Sequence, residues 1–465
     1  MRRIGPIAAA VLSVGVAPVA LAQDEPTPRA LSLAAGYKAQ FTCSGTFNAG
    51  KDLNSIEAYE LTNVYPSYIP ILETLPEAVI DREAKTVSVT YAEDMPPRIA
   101  AWRPRLGCTS LPPGQDDPSV LPTADTQDVK REASMPWPMG DKLPDSPLPN
   151  NVDQDVLSAA VDKAFAGDFG GVTSAVVIVQ NDRLLMERYL EGYDIHTSQR
   201  TWSVAKSIGA TVIGAAVMDG ILDVDQPTGL SGWSAPGDPR AEITLENLLH
   251  MASGLDSEPV GSRTDAVYFG GGLVREHAAG NLLQAPPGER WRYANNDTML
   301  ALLTLREAMG VDAAYRAYPF SRVLHKIGML NTQLETDWQG DFILSSQVWT
   351  TARDLARLGI LYLNDGVWQG DRVLPKGWSD YVRTPAPSQP PARGDGPSRG
   401  YGAQFWLYDG FEGLPDGSYA ALGNRGQIVM IIPERNVVVV RRGYDYRGNR
   451  FDEAKFSAEV LKALD

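Results

Sequence analysis

Strand-like segments stand at both ends of residues 151–465, and helical patterns fill the middle. Near the start, the run 174–189 is interrupted by Asn181-Asp182, a pair typical of a hairpin turn. Near the end, the apolar run 427–441 is interrupted by a turn at 433–436. One antiparallel sheet must then be built from both ends of this region, with a helical region inserted between its strands. The sequence therefore predicts an α+β fold in which helices flank this sheet.

A serine and a lysine three residues apart, Ser203 and Lys206, open a helical pattern that stays apolar as far as Asp219. Such a segment is typical of a helix buried on all sides. Residues three apart share one helix face, and burial lowers the pKa of a lysine by disfavouring its charged form. A neutral amine can accept the serine proton, so Ser203 is a candidate nucleophile. The alternative is a chance match, since S-x-x-K alone is a common pattern.

Other elements are predicted from periodicity and capping residues. Gly209 and Gly214 lower the helix propensity of the serine helix, so we expect close packing of a neighbour there. Further helices are predicted at 153–165, 244–253, 297–309 and 451–464, and further strands at 85–91 and 401–408.

The start of the chain has the pattern of an export signal. Residues 1–22 hold two arginines, an apolar stretch and a small-residue cleavage site. The alternative is a membrane anchor, which the short apolar run and Pro18 disfavour. We therefore expect a periplasmic or secreted protein without a stable membrane anchor.

Length and charge restrict the class of protein further. A chain of 465 residues is expected to form two or three domains. The formal net charge of −15 at pH 7 repels nucleic acid and anionic lipid surfaces. We therefore expect a small-molecule partner and no nucleic acid.

Cys43 and Cys108 are the two cysteines of the chain. Export makes a disulfide between them permissible. That bond would close a loop of about 65 residues and add about 4 kcal/mol of stability in the chain-entropy model. The alternative is two separate buried thiols. Two cysteines and four scattered histidines give no zinc-like spacing, so neither a metal nor a cofactor is predicted.

The composition divides the chain into four parts. Residues 1–22 form the signal peptide, and 23–110 form an N-terminal module of unknown role. Residues 111–150 are rich in Pro, Asp and Ser and are interpreted as a linker that wraps over a surface. Residues 151–465, the main domain, hold every candidate for chemistry.

Three motifs in the main domain resemble those of the penicillin-recognising serine hydrolases of the β-lactamase and penicillin-binding-protein superfamily. Ser203-Val-Ala-Lys206 resembles their first motif and Tyr293-Ala-Asn295 their Y-x-N motif. Ala421-Leu-Gly423 stands where the third motif belongs, and 248–255 resembles a structural stretch between the first two. Order and spacing resemble class C β-lactamases, esterases of that fold and 6-aminohexanoate-dimer hydrolases. The resemblance implies a β-lactamase/DD-peptidase-like fold over about residues 150–465.

The resemblance also implies a role for each residue. Ser203 would form an acyl-enzyme, with Lys206 and Tyr293 passing its proton to the leaving group. A lysine cation nearby would favour the phenolate of Tyr293, whereas the alternative is a packed aromatic. Asn295 would steady Lys206 or bind a substrate carbonyl, or else cap the next helix. The backbone N–H groups of Ser203 and Asn424, next to Gly423, would form the oxyanion hole.

Departures from the family pattern direct the interpretation towards esters and amides. Ala421 replaces the lysine that attracts the substrate carboxylate in β-lactamases. Arg425 either supplies the missing charge or is a solvated turn residue. Tyr268, in a loop expected to overhang the site, is either a substrate contact or an ordinary packed aromatic.

Two further matches are interpreted as decoys. Ser398 lies in a G-x-S-x-G match within a Pro/Gly loop that lacks the strand–turn–helix context of a nucleophile elbow. Tyr362-Leu-Asn364 matches Y-x-N but stands at the end of a packed helix.

Three functions remain for the chain. The first is an exported serine hydrolase that cleaves a small-molecule or short oligomeric ester or amide through an acyl-enzyme. The second is a β-lactamase or D-amino-acid peptidase of the same fold. The third is a non-catalytic binding or sensor protein that kept the fold.

Overall fold

The computed structural model describes residues 26–62, 64–126, 129, 134–257, 264–392 and 396–464. The predicted signal peptide, residues 1–22, lies outside these ranges. Within them, no helix combines the length and apolarity needed to cross a membrane.

The helices predicted from capping and periodicity are present. The helices are α1 (Pro28–Phe47), α2 (Leu53–Ile56), α3 (Ile69–Leu72), α4 (Gln154–Ala166), α5 (Val204–Met218), α6 (Leu245–Leu249), α7 (Asp265–Tyr268), α8 (Val274–His277), α9 (Asn295–Met309), α10 (Asp312–Tyr318), α11 (Ala352–Leu363), α12 (Trp378–Arg383) and α13 (Glu453–Leu461).

The strands form one large sheet and smaller ones beside it. They are β1 (Val79–Asp81), β2 (Thr86–Val89), β3 (Arg98–Arg103), β4 (Gly107–Ser110), β5 (Thr173–Gln180), β6 (Arg183–Tyr189), β7 (Gln199–Arg200), β8 (Gln333–Leu334), β9 (Val348–Thr350), β10 (Val367–Trp368), β11 (Asp371–Arg372), β12 (Gly400–Tyr401), β13 (Trp406–Leu407), β14 (Tyr419–Gly423), β15 (Gln427–Ile432) and β16 (Val437–Gly443).

The large sheet is built from both ends of the main domain, as predicted. Its order is β12-β13-β14-β15-β16-β5-β6, and every neighbouring pair is antiparallel. Strand β16 therefore joins the two parts of the sheet. It pairs on one side with β15, also from the end of the chain, and on the other side with β5, from the start of the main domain. The predicted α+β class is therefore confirmed.

Helices cover both faces of this sheet. Val176 and Ile178 of β5 face the cluster that contains α4 and α13, whereas Val177 and Val179 face the larger cluster around α5 and α11. Because both faces are covered, successive residues of the central strands are apolar rather than alternating. The small residues of α5 allow the close packing that was predicted. A Cβ at Gly214 would lie 2.5 Å from the ring of Trp378.

The N-terminal module folds as a helix on a small sheet. Helix α1 packs against the antiparallel order β1-β2-β3-β4. Cys43 of α1 and Cys108 of β4 form a disulfide with their Cα atoms 6.1 Å apart. Both cysteines are fully buried. The predicted pairing is therefore present, and it joins the two layers of the module.

The other side of α1 packs directly on the main domain. Glu335 is buried and accepts hydrogen bonds from Ser44 Oγ at 2.5 Å and Asn48 Nδ2 at 2.9 Å. A Cβ at Gly36 would lie 2.1 Å from the carbonyl oxygen of Phe269. Helix and main domain therefore share one close-packed interface, which the sequence did not predict.

One predicted strand differs in detail. The strand expected at 401–408 is a tight hairpin, since β12 and β13 pair with each other across residues 402–405. Gln404 within this turn has a φ of 66°, which a continuous strand does not accommodate.

Residues 134–150, the last part of the predicted linker, contact the main domain. Trp137 Nε1 donates to the carbonyl of Asp182 at 2.8 Å, and Arg357 Nη2 donates to that of Gly140 at 2.7 Å.

Candidate active site

Ser203 stands immediately before helix α5 and is half-buried. The preceding turn is tied to strand β9, because the N–H of Thr201 donates to the carbonyl of Val348 at 2.8 Å. The backbone of Ser203 is therefore held in place at a helix N-terminus, where the partial positive charge favours a developing anion on the hydroxyl oxygen.

Lys206 lies one helical turn further on and is 1% exposed. Its Nζ is 3.3 Å from Ser203 Oγ, 2.6 Å from Asn295 Oδ1 and 2.7 Å from the carbonyl oxygen of Ser345. The predicted serine–lysine pair is thus in hydrogen-bonding contact, with two further oxygens around the amine.

These contacts orient the amine as a base. Burial lowers the pKa of Lys206 to about 7, against a weaker opposing effect of Asp297. A neutral amine has two N–H donors and one lone pair. The oxygens of Asn295 and Ser345 can only accept, so they take both N–H groups. The lone pair then points to Ser203 Oγ and can accept its proton.

Tyr293 lies beside this pair, with Lys206 Nζ 4.9 Å from the centre of its ring. Burial raises the pKa of Tyr293, and an interaction of its hydroxyl with Ser203 only partly offsets this. This direction is the opposite of the phenolate expected from sequence. A lysine whose pKa lies at about 7 is only partly charged at neutral pH, and burial opposes the phenolate, so Tyr293 is a neutral phenol.

Asn295 is the first residue of α9, whose N-cap is Ala294. Its side chain therefore holds Lys206 and does not cap the helix. Two residues on, Asp297 is 1% exposed and accepts a hydrogen bond from Ser253 Oγ at 2.9 Å. Burial raises the pKa of Asp297 to about 7. Asp297 was not predicted as a site residue, although it opens the helix predicted at 297–309, two residues after Asn295.

The end of strand β14 lies against the Ser203 turn. A Cβ at Gly423 would lie 2.2 Å from the carbonyl oxygen of Thr201 and 3.2 Å from the backbone nitrogen of Ser203. Only a glycine fits this approach. Asn424 follows in an exposed turn, and its Oδ1 accepts from the N–H of Arg425 at 3.0 Å. The two backbone segments assigned to the oxyanion hole are therefore neighbours.

Arg425 is neither solvated nor directed freely into the site. It is 8% exposed, and all three guanidinium nitrogens donate to backbone carbonyls. Nη1 donates to Tyr59, Nη2 to Tyr444 at 3.3 Å and Nε to Asp445 at 3.2 Å. The solvated-turn alternative is thus wrong, because the side chain is folded back towards the N-terminal module.

Tyr268 lies at the end of α7 and is buried rather than overhanging. Its hydroxyl is 2.7 Å from Ser345 Oγ, and Ser345 is also the residue whose carbonyl receives Lys206. Tyr268 therefore contacts Ser345, which in turn contacts the Lys206 amine. Ser345 lies in a loop before β9, and no feature of its sequence neighbourhood pointed to it.

An aromatic cluster flanks Tyr293. The Tyr293 ring stacks on Trp406, with ring centres 5.5 Å apart, and meets Tyr401 edge-on at 6.0 Å. Trp291 contacts both Tyr401 and Trp406. Trp291, Tyr293 and Trp406 are half-buried, so together they present an apolar surface beside the candidate nucleophile.

Neither decoy joins this site. Tyr362 is buried near the end of α11, and its hydroxyl is 2.9 Å from Thr211 Oγ1 on the serine helix. Ser398 is exposed in the loop before β12. In the part of the chain that the structure describes, no group of three His, Cys, Asp or Glu side chains is placed to hold a metal ion.

Comparison with known proteins agrees with this geometry. The Beta-lactamase family model matches residues 159–442, more than half of the chain. A 6-aminohexanoate-dimer hydrolase from Paenarthrobacter ureafaciens is 23% identical over 299 residues, which cover 58% of this chain and 72% of that protein.

Solved structures show the same fold at low sequence identity. A family VIII carboxylesterase matches with a TM-score of 0.55 and 14% identity, covering 68% of this chain and 97% of its own. A penicillin-binding-protein homologue from Caulobacter crescentus matches with a TM-score of 0.54 and 15% identity, covering 68% and 97%. The chain belongs to the Beta-lactamase family, and it is a hydrolase related to the serine hydrolases of that fold.

Proposed function

We propose that the protein is an exported serine hydrolase that cleaves an ester or amide through an acyl-enzyme on Ser203. One observation carries the proposal: the buried Lys206 Nζ lies 3.3 Å from Ser203 Oγ and within 2.7 Å of two oxygens that can only accept hydrogen bonds. This arrangement provides a base at neutral pH.

In the acylation step, Ser203 Oγ attacks the substrate carbonyl carbon while its proton moves to Lys206 Nζ. The carbonyl oxygen becomes an oxyanion, which the N–H groups of Ser203 and Asn424 stabilise. The bond from carbon to the leaving oxygen or nitrogen then breaks. Tyr293, a neutral phenol, donates its proton to the leaving group and is reprotonated from Lys206.

In the deacylation step, water attacks the ester carbonyl of the acyl-enzyme. The same lone pair of Lys206 accepts a proton from the water, and the Ser203 oxygen takes a proton back as it leaves. The products are a carboxylic acid and an alcohol or amine. The relay returns to its starting protonation state.

The third-motif position supports esters and amides over β-lactams. Ala421 carries no charge, and the guanidinium of Arg425 is occupied by three carbonyls. A substrate that relies on a carboxylate anchor gains little at this position. One relative is named a 6-aminohexanoate-dimer hydrolase, a name that implies an amide substrate. One structural neighbour is named a carboxylesterase, a name that implies ester substrates.

Export is part of the proposal. The Cys43–Cys108 disulfide is a bond that persists in oxidising compartments. It accords with the signal-peptide pattern of residues 1–22. Determination of the N-terminal residue of protein recovered from the periplasm or culture medium tests this, and an intact Met1 start there would contradict cleavage after Ala22.

Hydrolysis of p-nitrophenyl esters and linear amides tests the reaction. We expect Ser203→Ala to lose at least about 10³-fold in kcat, because the covalent route is removed. Ser398→Ala is the matched control, since it changes the exposed serine of the other hydrolase-like motif and leaves the rate unchanged. Equal rates in wild type and Ser203→Ala would remove Ser203 from the mechanism.

A fluorescent penicillin separates the second function from the first. Little or no label on Ser203 is expected, with ester turnover retained. Rapid labelling and turnover of penicillin, with esters untouched, would favour a β-lactamase or peptidase. A protein that neither turns over a substrate nor reacts with a fluorophosphonate at Ser203 would be a binding protein.

A further inference from the structure

Two residues with left-handed backbone flank the proposed oxyanion hole. Trp202, just before Ser203, has a φ of 49°, and Arg425, just after Asn424, has a φ of 60°. This region favours glycine, and bulky side chains hold it only where their surroundings enforce it. The direction of each oxyanion N–H therefore depends on whatever holds Trp202 and Arg425 in place.

Trp202 is held by a cation and by aromatic rings of the N-terminal module. The guanidinium carbon of Arg200 lies 3.8 Å from the Trp202 ring centre and 4.3 Å from that of Phe41. Phe41 and Tyr65 each place their ring centres 6.2 Å from Trp202. Both residues belong to the module, so one side of the module closes over the turn that precedes Ser203.

Arg425 is held by the same module at a different point. Its Nη1 donates to the carbonyl of Tyr59. The Tyr59 ring stacks on Tyr444, with ring centres 4.4 Å apart, and the Tyr444 carbonyl accepts Nη2 of Arg425 at 3.3 Å. Lys51, buried beside Glu60, donates to the Tyr444 hydroxyl at 2.8 Å. The module thus fixes the guanidinium from two directions.

The two held segments meet at Gly423, which packs against Thr201 and the Ser203 nitrogen. Among the residues that hold them, Phe41, Tyr59 and Tyr65 lie before residue 111, whereas the family match spans residues 159–442. Each segment is therefore held in part by residues outside the family domain.

We propose that the N-terminal module is a positioning element for the oxyanion hole. It holds Trp202 and Arg425 in left-handed backbone conformations, so that the N–H groups of Ser203 and Asn424 converge on one point. The inference rests on the proposed function. It assigns the module no contact with the reacting atoms.

A pair of variants on one helix tests this role. Phe41→Leu replaces the aromatic ring that contacts Trp202 with a smaller aliphatic side chain. Phe47→Leu makes the same change where α1 faces Trp102, away from the site. For Phe41→Leu we expect kcat on a p-nitrophenyl ester to fall about 10-fold with KM within twofold, since a small displacement of an oxyanion donor weakens only the transition state. The inhibition constant of an arylboronic acid, which forms a tetrahedral adduct, rises by a similar factor. Phe47→Leu changes neither quantity more than twofold.

Arg425→Lys provides a second variant that keeps the charge but cannot reach three carbonyls. We expect the same loss of kcat and of boronate affinity on neutral esters. If Arg425 merely anchored a substrate carboxylate, Arg425→Lys would instead raise KM, and only for substrates that carry a carboxylate.

The outcomes separate the two proposals. Wild type without esterase activity, or a fully active Ser203→Ala, would overturn the proposed function and the positioning role with it. An active wild type in which Phe41→Leu and Phe47→Leu lose kcat equally, or lose only thermal stability, would overturn the positioning role alone. Unchanged kcat and boronate affinity in Arg425→Lys would do the same.

Discussion

The two sides of Ser203 are held by different parts of the chain. On the base side, Lys206 is surrounded by α5, by the start of α9 and by the loop before β9, all within the main domain. On the oxyanion side, Trp202 and Arg425 are contacted by the N-terminal module. The base side uses hydrogen bonds to a buried amine, whereas the oxyanion side uses aromatic packing and a guanidinium on carbonyls.

In the proposed mechanism, this difference makes proton transfer by Lys206 and electrostatic stabilisation of the oxyanion separable. A buried amine gets its pKa from desolvation by the core of the main domain. The oxyanion donors get their direction from the backbone, which a neighbouring module can shift without touching the amine. Variants on one side should therefore change one kinetic property and leave the other.

The largest expected effect is loss of the base. Lys206→Met keeps the bulk of the side chain in its buried site but removes the lone pair. We expect kcat to fall about 10³-fold, within the range for a general base. Lys455→Met changes an exposed lysine of α13 and is the control. Steady-state ester hydrolysis measures both, and retention of more than a tenth of the activity by Lys206→Met would contradict the role of the amine.

The next effect is displacement of the oxyanion strand. In Gly423→Ala the new methyl group would lie 2.2 Å from the carbonyl oxygen of Thr201, so the end of β14 must move. We expect about a 10²-fold loss of kcat with little change in the pH dependence. Gly232→Ala, at a position with open space around it, is the matched control. Loss of the Lys206 pH inflection in Gly423→Ala would show that the two sides are coupled.

Loosening the module should have a smaller effect on rate and a clear effect on stability. Removal of the Cys43–Cys108 bond in a Cys43→Ala, Cys108→Ala double variant frees a loop of 65 residues. We expect a loss of about 4 kcal/mol in the free energy of unfolding by the chain-entropy model, and a severalfold lower kcat. Urea unfolding measures the first quantity. Dithiothreitol should destabilise wild type and leave the double variant unchanged, whereas an unchanged kcat would argue against positioning by the module.

The smallest effect is a shift of the pH profile. The unprotonated amine of Lys206 is the active form and its pKa lies at about 7, so kcat/KM should fall as the pH drops below about 7 and level off above it. The ionised form of Asp297 raises the pKa of Lys206, but burial raises the pKa of Asp297 itself to about 7, so this carboxyl is only partly ionised in the same pH range. Asp297→Asn therefore moves the inflection to lower pH, by less than about 1 unit. A shift to higher pH would contradict the assignment of Lys206 as the titrating base.

Much of the fold followed from patterns that are local in sequence. The hairpin at Asn181-Asp182 and the helix predicted at 153–165 depend on residues a few positions apart, and both are present. The sheet from both chain ends followed from where the strands lie. The hairpin at β12 and β13 was missed, because the run 401–408 is apolar apart from Gln404, and the left-handed residue of its turn is Gln404 rather than Gly402.

The candidate site divides in the same way. The spacing of Ser203 and Lys206 is a property of one helical turn, so the sequence alone brought these two side chains into contact. The oxygens that orient Lys206 come from Asn295 and Ser345, 89 and 139 residues away, and only Asn295 lay in a motif. The direction of the Tyr293 pKa depended on burial, which no spacing encodes.

The sequence by itself therefore determined the α+β class, the serine–lysine pair and the order of the motifs. The tertiary structure decided where Arg425 points, which carbonyls receive Lys206 and that the N-terminal module packs against both flanks of the oxyanion segments. The physical reason is range. Helix and hairpin geometry is set by neighbouring residues, whereas desolvation and long-range contacts depend on which surfaces of the folded chain meet.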